Sequence, residues 1–201
     1  MFAGIVEAKS PILSSKTRDQ VIEIQVQRPA NFDDIKVGDS IAVNGVCLTV
    51  EDFTPESLQF AIGHETMRVT AWQAENLENL VCNLERSLRL GDRIHGHLMS
   101  GHVEGLGKVA ALEKAGENLL LYIQIPESFA PLVWNKGGLC VQGVSLTVNE
   151  IKNHQVSICL IPETLRQTNL ANLQVGDSVN LEADYFAKAM RHFWELKNAS
   201  H

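Results

Sequence analysis

Along the stretch from Val21 to Gln27, apolar Ile22, Ile24 and Val26 alternate with Glu23, Gln25 and Gln27. About a hundred positions later Leu119, Leu121, Ile123 and Ile125 repeat the spacing of two. A period of two places one face of an extended strand in a core and the other in water. The tripeptides ValGlyAsp at 37–39 and 175–177, and LeuGlyAsp at 90–92, precede further short β-rich runs and read as tight turns between strands. Many short strands with turn signals at this spacing predict an all-β chain with a small closed barrel in each half. Helical spacing is clear only at the C-terminus. There Phe186, Ala189, Met190, Phe193 and Trp194 or Leu196 form an apolar stripe, with Lys188, Arg191 and Glu195 elsewhere. Asn31 to Val37 and Ser128 to Trp134 are expected as single helical turns, the second made marginal by Pro131.

The two halves are copies. The phrase NGVCLTV from Asn44 to Val50 returns as QGVSLTV from Gln142 to Val148, differing only in Asn44 against Gln142 and Cys47 against Ser145. Gly4, Val6, Glu7, Pro29 and Phe32 recur 97 positions on as Gly101, Val103, Glu104, Pro126 and Phe129. From Gly45 to Thr70 the offset is 98, and Asn83, Leu84 and Glu85 return to 97 as Asn180, Leu181 and Glu182. Single-residue slips of this kind fall in loops of duplicated β domains. Expected boundaries are 1–95 for an N-terminal barrel, 96–185 for a C-terminal barrel and 186–201 for an oligomerisation helix. The apolar stripe needs a cover, which is its own barrel or a neighbouring subunit, and its large aromatics outside both repeats favour the subunit.

Composition narrows the function. A chain of 201 residues, 45% hydrophobic, can bury roughly 70% of its unfolded surface. A formal net charge of −7, without a Lys/Arg run, gives none of the basic surface that a phosphate backbone requires, so no nucleic-acid partner is expected. No apolar run is long enough to span a bilayer and MFAGIVEAKS lacks the pattern of a signal peptide, which predicts a soluble cytoplasmic protein with no membrane partner. Cys47, Cys82, Cys140 and Cys159 are far apart with no CxxC pair, and reduced thiols are expected.

Several residues carry chemistry, each with a plainer reading beside it. Cys47 is a small core residue or a reactive thiol. His95, His97 and His102 give His-x-His-x4-His; two of these share a strand face, but no third ligand stands at a fixed spacing, and no metal is expected. Asp184 stands where a helix N-cap is wanted, before the C-terminal stripe. Lys136 reads as a solvated lysine before a turn.

The start MFAGIVE, the paired NGVCLTV and QGVSLTV, GHLMSGHVEG from Gly96 to Gly105, IPETLRQTNL from Ile161 to Leu170, and VNLEAD from Val179 to Asp184 together resemble riboflavin synthase of the duplicated-barrel type, its alpha chain. The resemblance spans nearly the whole chain. It implies two tandem, similar six-stranded antiparallel β-barrels followed by a C-terminal α-helix through which three chains associate as a homotrimer. It also implies dismutation of two molecules of 6,7-dimethyl-8-ribityllumazine, one donating a four-carbon unit to the other, to give riboflavin and a ribitylaminopyrimidinedione without a cofactor. In that family the site lies between the N-barrel of one chain and the C-barrel of a neighbour.

Carried onto matching positions, the resemblance places substrate contacts at Gly4, Ile5, Val6, Cys47, Leu48, Thr49, Ala61, Ile62, Gly63, His64, Glu65 and Thr66 in the first half. In the second they fall on Gly101, His102, Val103, Lys136, Ser145, Leu146, Thr147, Cys159, Leu160, Ile161, Pro162, Glu163 and Thr164. Strand amides and carbonyls match the donors and acceptors of a pteridine edge, and Thr49, Thr66, Thr147 and Thr164 add hydroxyls. Cys47, Ser145, His102, Asp184 and Phe2 are the implied catalytic group, Phe2 because the MFxGIV match suggests that the N-terminus folds against the site. One lumazine must lose a 7-methyl proton while the other is attacked, so matched pockets need different side chains, and Cys47 against Ser145 supplies a difference. Departures from the family pattern are Ala3, His95, Gln142, His64 opposite Pro162, and Thr70-Ala71-Trp72 in place of the phrase retained as Thr168-Asn169-Leu170. Other readings are a lumazine-carrying antenna protein of the same fold and a split-barrel flavin oxidoreductase, for which no Gly-rich dinucleotide fingerprint is present, and last a subunit with no ligand.

Overall fold

The computed structural model describes residues 1–70 and 72–199. Ala71, the middle of one departure, and Ser200 and His201, the end of the expected oligomerisation segment, lie outside the described residues. The first half contains β1 (Ala8–Arg18), β2 (Val21–Gln27), β3 (Ser40–Val43), β4 (Val46–Thr49), β5 (Asp52–Phe53) and β6 (Ser57–Ile62). Two short helices follow, α1 (His64–Thr70) and α2 (Ala74–Leu77), and then β7 (Val81–Arg86). The second half contains β8 (Gly105–Ala115), β9 (Asn118–Gln124), a 3-10 turn at Glu127–Leu132, β10 (Gly138–Val141), β11 (Val144–Lys152) and β12 (Gln155–Leu160). It closes with α3 (Pro162–Gln167), a 3-10 turn at Asn169–Asn172 and β13 (Ser178–Ala183), and α4 (Tyr185–Ala199) ends the chain.

Every strand pairing is antiparallel. The second half is a closed barrel in the order β10-β11-β12-β9-β8-β13, and the first is a sheet in the order β4-β3-β7-β1-β2-β6-β5. Its two edge strands, β4 and β5, are consecutive in the chain and together occupy the place of β11. The seam is a corner, where the Val50 N–H goes to Asp39 O at 2.9 Å and the Glu51 N–H to Gln59 O at 2.9 Å. What differs is the turn that follows. β11 reaches β12 through Asn153 and His154, both left-handed (φ 50° and 59°), the hairpin geometry that keeps strand twist. Pro55 cannot take a positive φ, so the first half uses a turn from Thr54 to Ser57, whose Thr54 Oγ1 accepts from the Glu56 and Ser57 N–H groups at 3.1 and 3.0 Å. Register slips between Ile12 and Ser14 and between Val109 and Ala111 fall at equivalent places and bend the long strands around each core.

Alternate residues fill the interiors. Ile22, Ile24, Val26, Leu58, Phe60 and Ile62 are buried in the first core, and Leu121, Ile123, Val156, Ile158 and Leu160 in the second. The predicted turns are present. Gly38, Gly91 and Gly176 have φ of 93–99°, and Asp39, Asp92 and Asp177 close each turn by accepting the N–H three residues back. Of the two single helical turns expected, one is present. The stretch 31–37 holds no helix, only a turn at Phe32 whose N–H reaches Pro29 O at 3.0 Å, whereas Glu127–Leu132 forms a 3-10 turn around Pro131. The helices α1 and α3 come from segments given no helix by the periodicity. Pro162 at the start of α3, and Glu65 with Arg68 and Glu163 with Arg166 at opposite ends of each, are the local signal for them.

The halves meet along a pseudo-two-fold axis. Asn44-Gly45 and Gln142-Gly143 are both left-handed two-residue turns, and a Cβ on Gly45 would stand 2.8 Å from Gly143 N, one on Gly143 2.6 Å from Gly45 N. Beside them the Asn83 amide nitrogen reaches Gln142 O at 2.8 Å, mirrored by Asn180 to Asn44 O at 3.0 Å. Asn169 joins from one side only, donating to Asn44 Oδ1 at 2.9 Å, while its own N–H goes to Asn83 Oδ1 at 2.7 Å. Phe2, Met99, Ala42 and Cys140 make a small apolar cluster on the axis, with Cys47 at its edge.

Candidate functional site

Pleating decides which predicted residues can meet a ligand. On β4, Leu48 points into the first core while Cys47 is half-buried and Thr49 exposed on the outer face; on β6, Ile62 points in and Ala61 out. β11 and β12 repeat this, with Leu146 and Leu160 in the core and Ser145, Thr147 and Cys159 turned outward. Each half therefore carries an outer shelf, closed at one end by the short helix that begins at His64 or Pro162. Leu48, Ile62, Leu146 and Leu160 support these shelves from beneath and offer a ligand backbone only. Gly63, His64, Glu65, Ile161, Pro162 and Glu163 are exposed, Thr66 and Thr164 half-buried.

The lead-in segments cross over. Ala3 and Gly4 donate their N–H groups to Glu85 in β7 at 2.6 and 3.0 Å, and Gly4 then accepts the N–H of Ser145, on the second half's shelf, at 2.9 Å. The mirror image runs through Ser100 and Gly101, whose N–H groups reach Glu182 in β13 at 2.8 and 2.9 Å, while Gly101 O accepts the N–H of Cys47 at 2.8 Å. Side chains follow, Val6 packing on the second core and Val103 on the first. The structure thus brings Gly4 and Val6 to Ser145, and Gly101 and Val103 to Cys47, whereas sequence order groups them the other way. No local signal reports such a crossing. Both glycines are left-handed (φ 73° and 79°), and a Cβ on either would lie 2.6 Å from the shelf residue's Cβ, so only glycine fits.

The side chains at the matched points have different surroundings. Ser145 Oγ lies 2.7 Å from His97 Nδ1. Gly96 and Gly138 make room for this pair, since a Cβ on Gly96 would stand 2.0 Å from Ala3 O and one on Gly138 3.0 Å from the imidazole. Burial lowers the His97 pKa from its ordinary 6.5, with the nearby Asp184 and Glu182 carboxylates pulling against it. The ring is therefore neutral at pH 7 and able to take a proton. Its Nε2 is buried without a hydrogen-bond partner among the described residues. In the sequence His97 stands in a metal-like spacing and within the GHLMSGHVEG motif, without a role of its own; its place opposite Ser145 becomes visible only when β10 and β11 are brought beside the 96–100 segment.

Phe2 is fully buried, bridged to Met99 by hydrogen bonds of 2.9 and 3.0 Å, with its ring near Gly101 beneath Cys47. Asp184 caps α4, its Oδ1 accepting the Phe186 N–H at 2.8 Å, and the same carboxylate stands within electrostatic reach of His97. His102 and His95 are exposed, and no group of three His, Cys, Asp or Glu able to hold a metal occurs among the described residues. Lys136 is exposed in a left-handed turn (φ 68°) beside β11, its N–H bonded to Val148 O. Ile5 is exposed and lines a separate 920 Å³ cleft with Glu7, Arg86, Arg89 and His95, where Arg86 is already matched by Glu7 and Asp34. Burial pushes the Glu85 carboxyl up to about 7, against the Ala3, Gly4 and Ile5 N–H groups that favour its ionised form.

The lumazine binding domain model matches this chain twice, over residues 3–87 and 100–184. Similar over nearly their whole lengths are riboflavin synthase of Chlamydia trachomatis, 38% identical and covering 94% of this chain and 92% of its own, and that of Bacillus subtilis, 33% identical and covering 98% and 92%. The chain belongs to the riboflavin synthase family of duplicated lumazine-binding domains. Its fold is also that of LumP complexed with riboflavin, at a TM-score of 0.84 and 24% identity over 91% of this chain and 99% of the other. Within the riboflavin synthase family, then, this member sets its two shelves on the outsides of the two units, with Cys47 at one and the Ser145–His97 pair at the other.

Proposed function

We propose that the protein is a riboflavin synthase, a transferase that dismutates two molecules of 6,7-dimethyl-8-ribityllumazine into riboflavin and 5-amino-6-(D-ribitylamino)uracil. The observation that carries this reading is one shelf built twice with unlike chemistry at the matched point. A reaction whose two substrates are the same molecule needs two similar pockets, and a donor and an acceptor need different groups within them. Atoms and electrons balance between two lumazines and the two products, so no cofactor is called for.

Ser145 and His97 suit the deprotonated partner. A 7-methyl proton taken through Ser145 Oγ would pass to Nδ1 of an imidazole that is neutral at pH 7. Cys47 suits the attacked partner, as nucleophile or proton relay, with Phe2 behind it and His102 at the rim. Asp184 supports the imidazolium that forms. Backbone groups of Gly4 to Val6, Gly101 to Val103, Ala61 to Thr66 and Cys159 to Thr164, with Thr49, Thr147 and Lys136, would hold pteridine and ribityl groups.

Units 1–95 and 96–185 each hold one lumazine in this reading, and 186–201 assembles a homotrimer so that unlike shelves of neighbouring chains face one another. Exposed Phe186, Met190, Phe193 and Trp194 on α4, beside Trp134, support such a contact. Free cysteines suit the reducing cytoplasm, and among the described residues no helix is long and apolar enough to cross a membrane.

The purified protein incubated with 6,7-dimethyl-8-ribityllumazine should generate riboflavin absorbance with turnover. Bound chromophore without turnover would make it a carrier, as its fold also allows, and neither outcome would remove the ligand class altogether.

A further inference from the structure

We propose that Glu85 and Glu182 are a crossed pair of positioning residues, each fixing the shelf built on the opposite half of the chain. Glu85 belongs to β7 of the first half, yet the segment it grips ends in the carbonyl that accepts from Ser145 in the second. Glu182 belongs to β13 of the second half and, through Gly101, governs Cys47 in the first. The proposal rests on the reading of these shelves as half-sites, but its geometry does not.

The grips are built for carboxylates. In each, two successive N–H groups meet the two oxygens of one carboxylate: Ala3 and Gly4 on Glu85, Ser100 and Gly101 on Glu182. Glu85 is 5% exposed, at the wall of the cleft that Ile5 lines, and Glu182 is fully buried. When the glutamate is ionised its bonds are charge-assisted and stronger than neutral ones, and an amide in the same place can accept at one atom only. Losing one bond frees the glycine at the end of the segment, and with it the strand N–H that depends on that glycine's carbonyl.

The two grips are not equal. Glu182 also accepts from Ser100 Oγ at 2.5 Å, and Lys188 Nζ on α4, which donates to Glu104 at 2.6 Å, stands 3.5 Å from the same carboxylate. Among the described residues no cation pairs with Glu85, and the neighbouring Arg86 is engaged by Glu7 and Asp34. The grip behind the Cys47 shelf thereby adjoins the C-terminal helix, whereas the grip behind the Ser145 shelf holds the N-terminal segment.

The test is amide hydrogen exchange on the full chain, read at Ser145 and Cys47 in Glu85→Gln, Glu182→Gln and the milder Lys188→Met. Glu85→Gln should speed exchange at Ser145 about tenfold and leave Cys47 unchanged; Glu182→Gln and Lys188→Met should speed Cys47 and leave Ser145 unchanged. Exchange rising only in each glutamate's own half, or equally in both, overturns the proposal. Should either amide variant fail to fold, Glu85→Asp and Glu182→Asp are read by the same criterion. With turnover established, Glu85→Gln should lower kcat about tenfold while one lumazine still binds with unchanged affinity, a split that general destabilisation does not produce. The exchange pattern holds or fails whether or not the protein makes riboflavin, so the two readings fail separately.

Discussion

Held side by side, the two halves agree in the elements that fold them and differ in the side chains at the outward point of the repeated phrase. Strand order, the slip in the first long strand, the AsnGly and GlnGly turns and the pair of backbone N–H groups held by a glutamate recur in both. At the outward position of the repeated phrase one half has a thiol with Phe2 behind it, the other a hydroxyl with an imidazole 2.7 Å away. His97 lies between the two matched domains, 3–87 and 100–184, outside the repeated stretches. Duplication supplies two similar shelves, and the segment joining the copies places an imidazole beside only one of them.

The sharpest way to break that comparison is to remove the imidazole. His97→Ala should lower kcat about a hundredfold, the usual weight of a general base, while binding of the lumazine on the Cys47 shelf is kept. Cys47→Ser, which makes the matched points alike, should cost less. Steady-state kinetics of the two variants decides between them: a larger loss in Cys47→Ser would move the base to the first half.

Much of the fold was legible in the sequence and the crossing was not. Alternation at Ile22, Ile24 and Val26 reports a strand because it depends on each residue's immediate surroundings, and the repeat offsets report two units because both copies meet the same local demands. The partner of Gly4 depends instead on where a segment lies after both units have folded. Ser145 and Gly4 are far apart in sequence, and nothing local distinguishes a glycine that packs on its own unit from one that packs on the other. α1 and α3 were missed for a milder reason. They are too short for a period of 3.6 to register, and their marks are terminal ones, Pro162 at the start and an acid–base pair across the ends. Among site residues, the paired Cys47 and Ser145 could be singled out because the repeat provides its own comparison, whereas His97 has no mate to be compared with.

A second difference lies on the axis itself. Asn83 and Asn180 are repeat mates, but Asn83 also exchanges two hydrogen bonds with Asn169, of 2.8 and 2.7 Å. Asn180 makes the single side-chain bond to Asn44 O. All three asparagines are buried. Asn83→Ala should therefore cost about 2 kcal/mol more than Asn180→Ala, since it leaves Asn169 groups without partners as well as losing its own bonds. For a chain of this length that is a further drop of roughly 4–8 °C in melting temperature. Equal losses would mean that Asn169 relaxes to water or to other partners, and that the axis is symmetric in energy though not in composition.

The smallest effect expected belongs to Glu85 and is read against pH. Its folded-state pKa is raised from the ordinary 4.5 to about 7, chiefly by burial. Between those values the folded chain holds a proton that the unfolded chain has released, so this group's contribution to stability is complete at the low end and is lost as pH rises toward 7. Melting temperature should fall with rising pH across that window, after correction for the other carboxylates, and the Glu85→Gln variant should show a flatter dependence because its amide does not ionise. Glu182→Gln serves as the comparison in the same scan. If Glu85→Gln keeps the full slope, the proton is held elsewhere; if it flattens, the anchor of the Ser145 shelf changes charge near neutral pH.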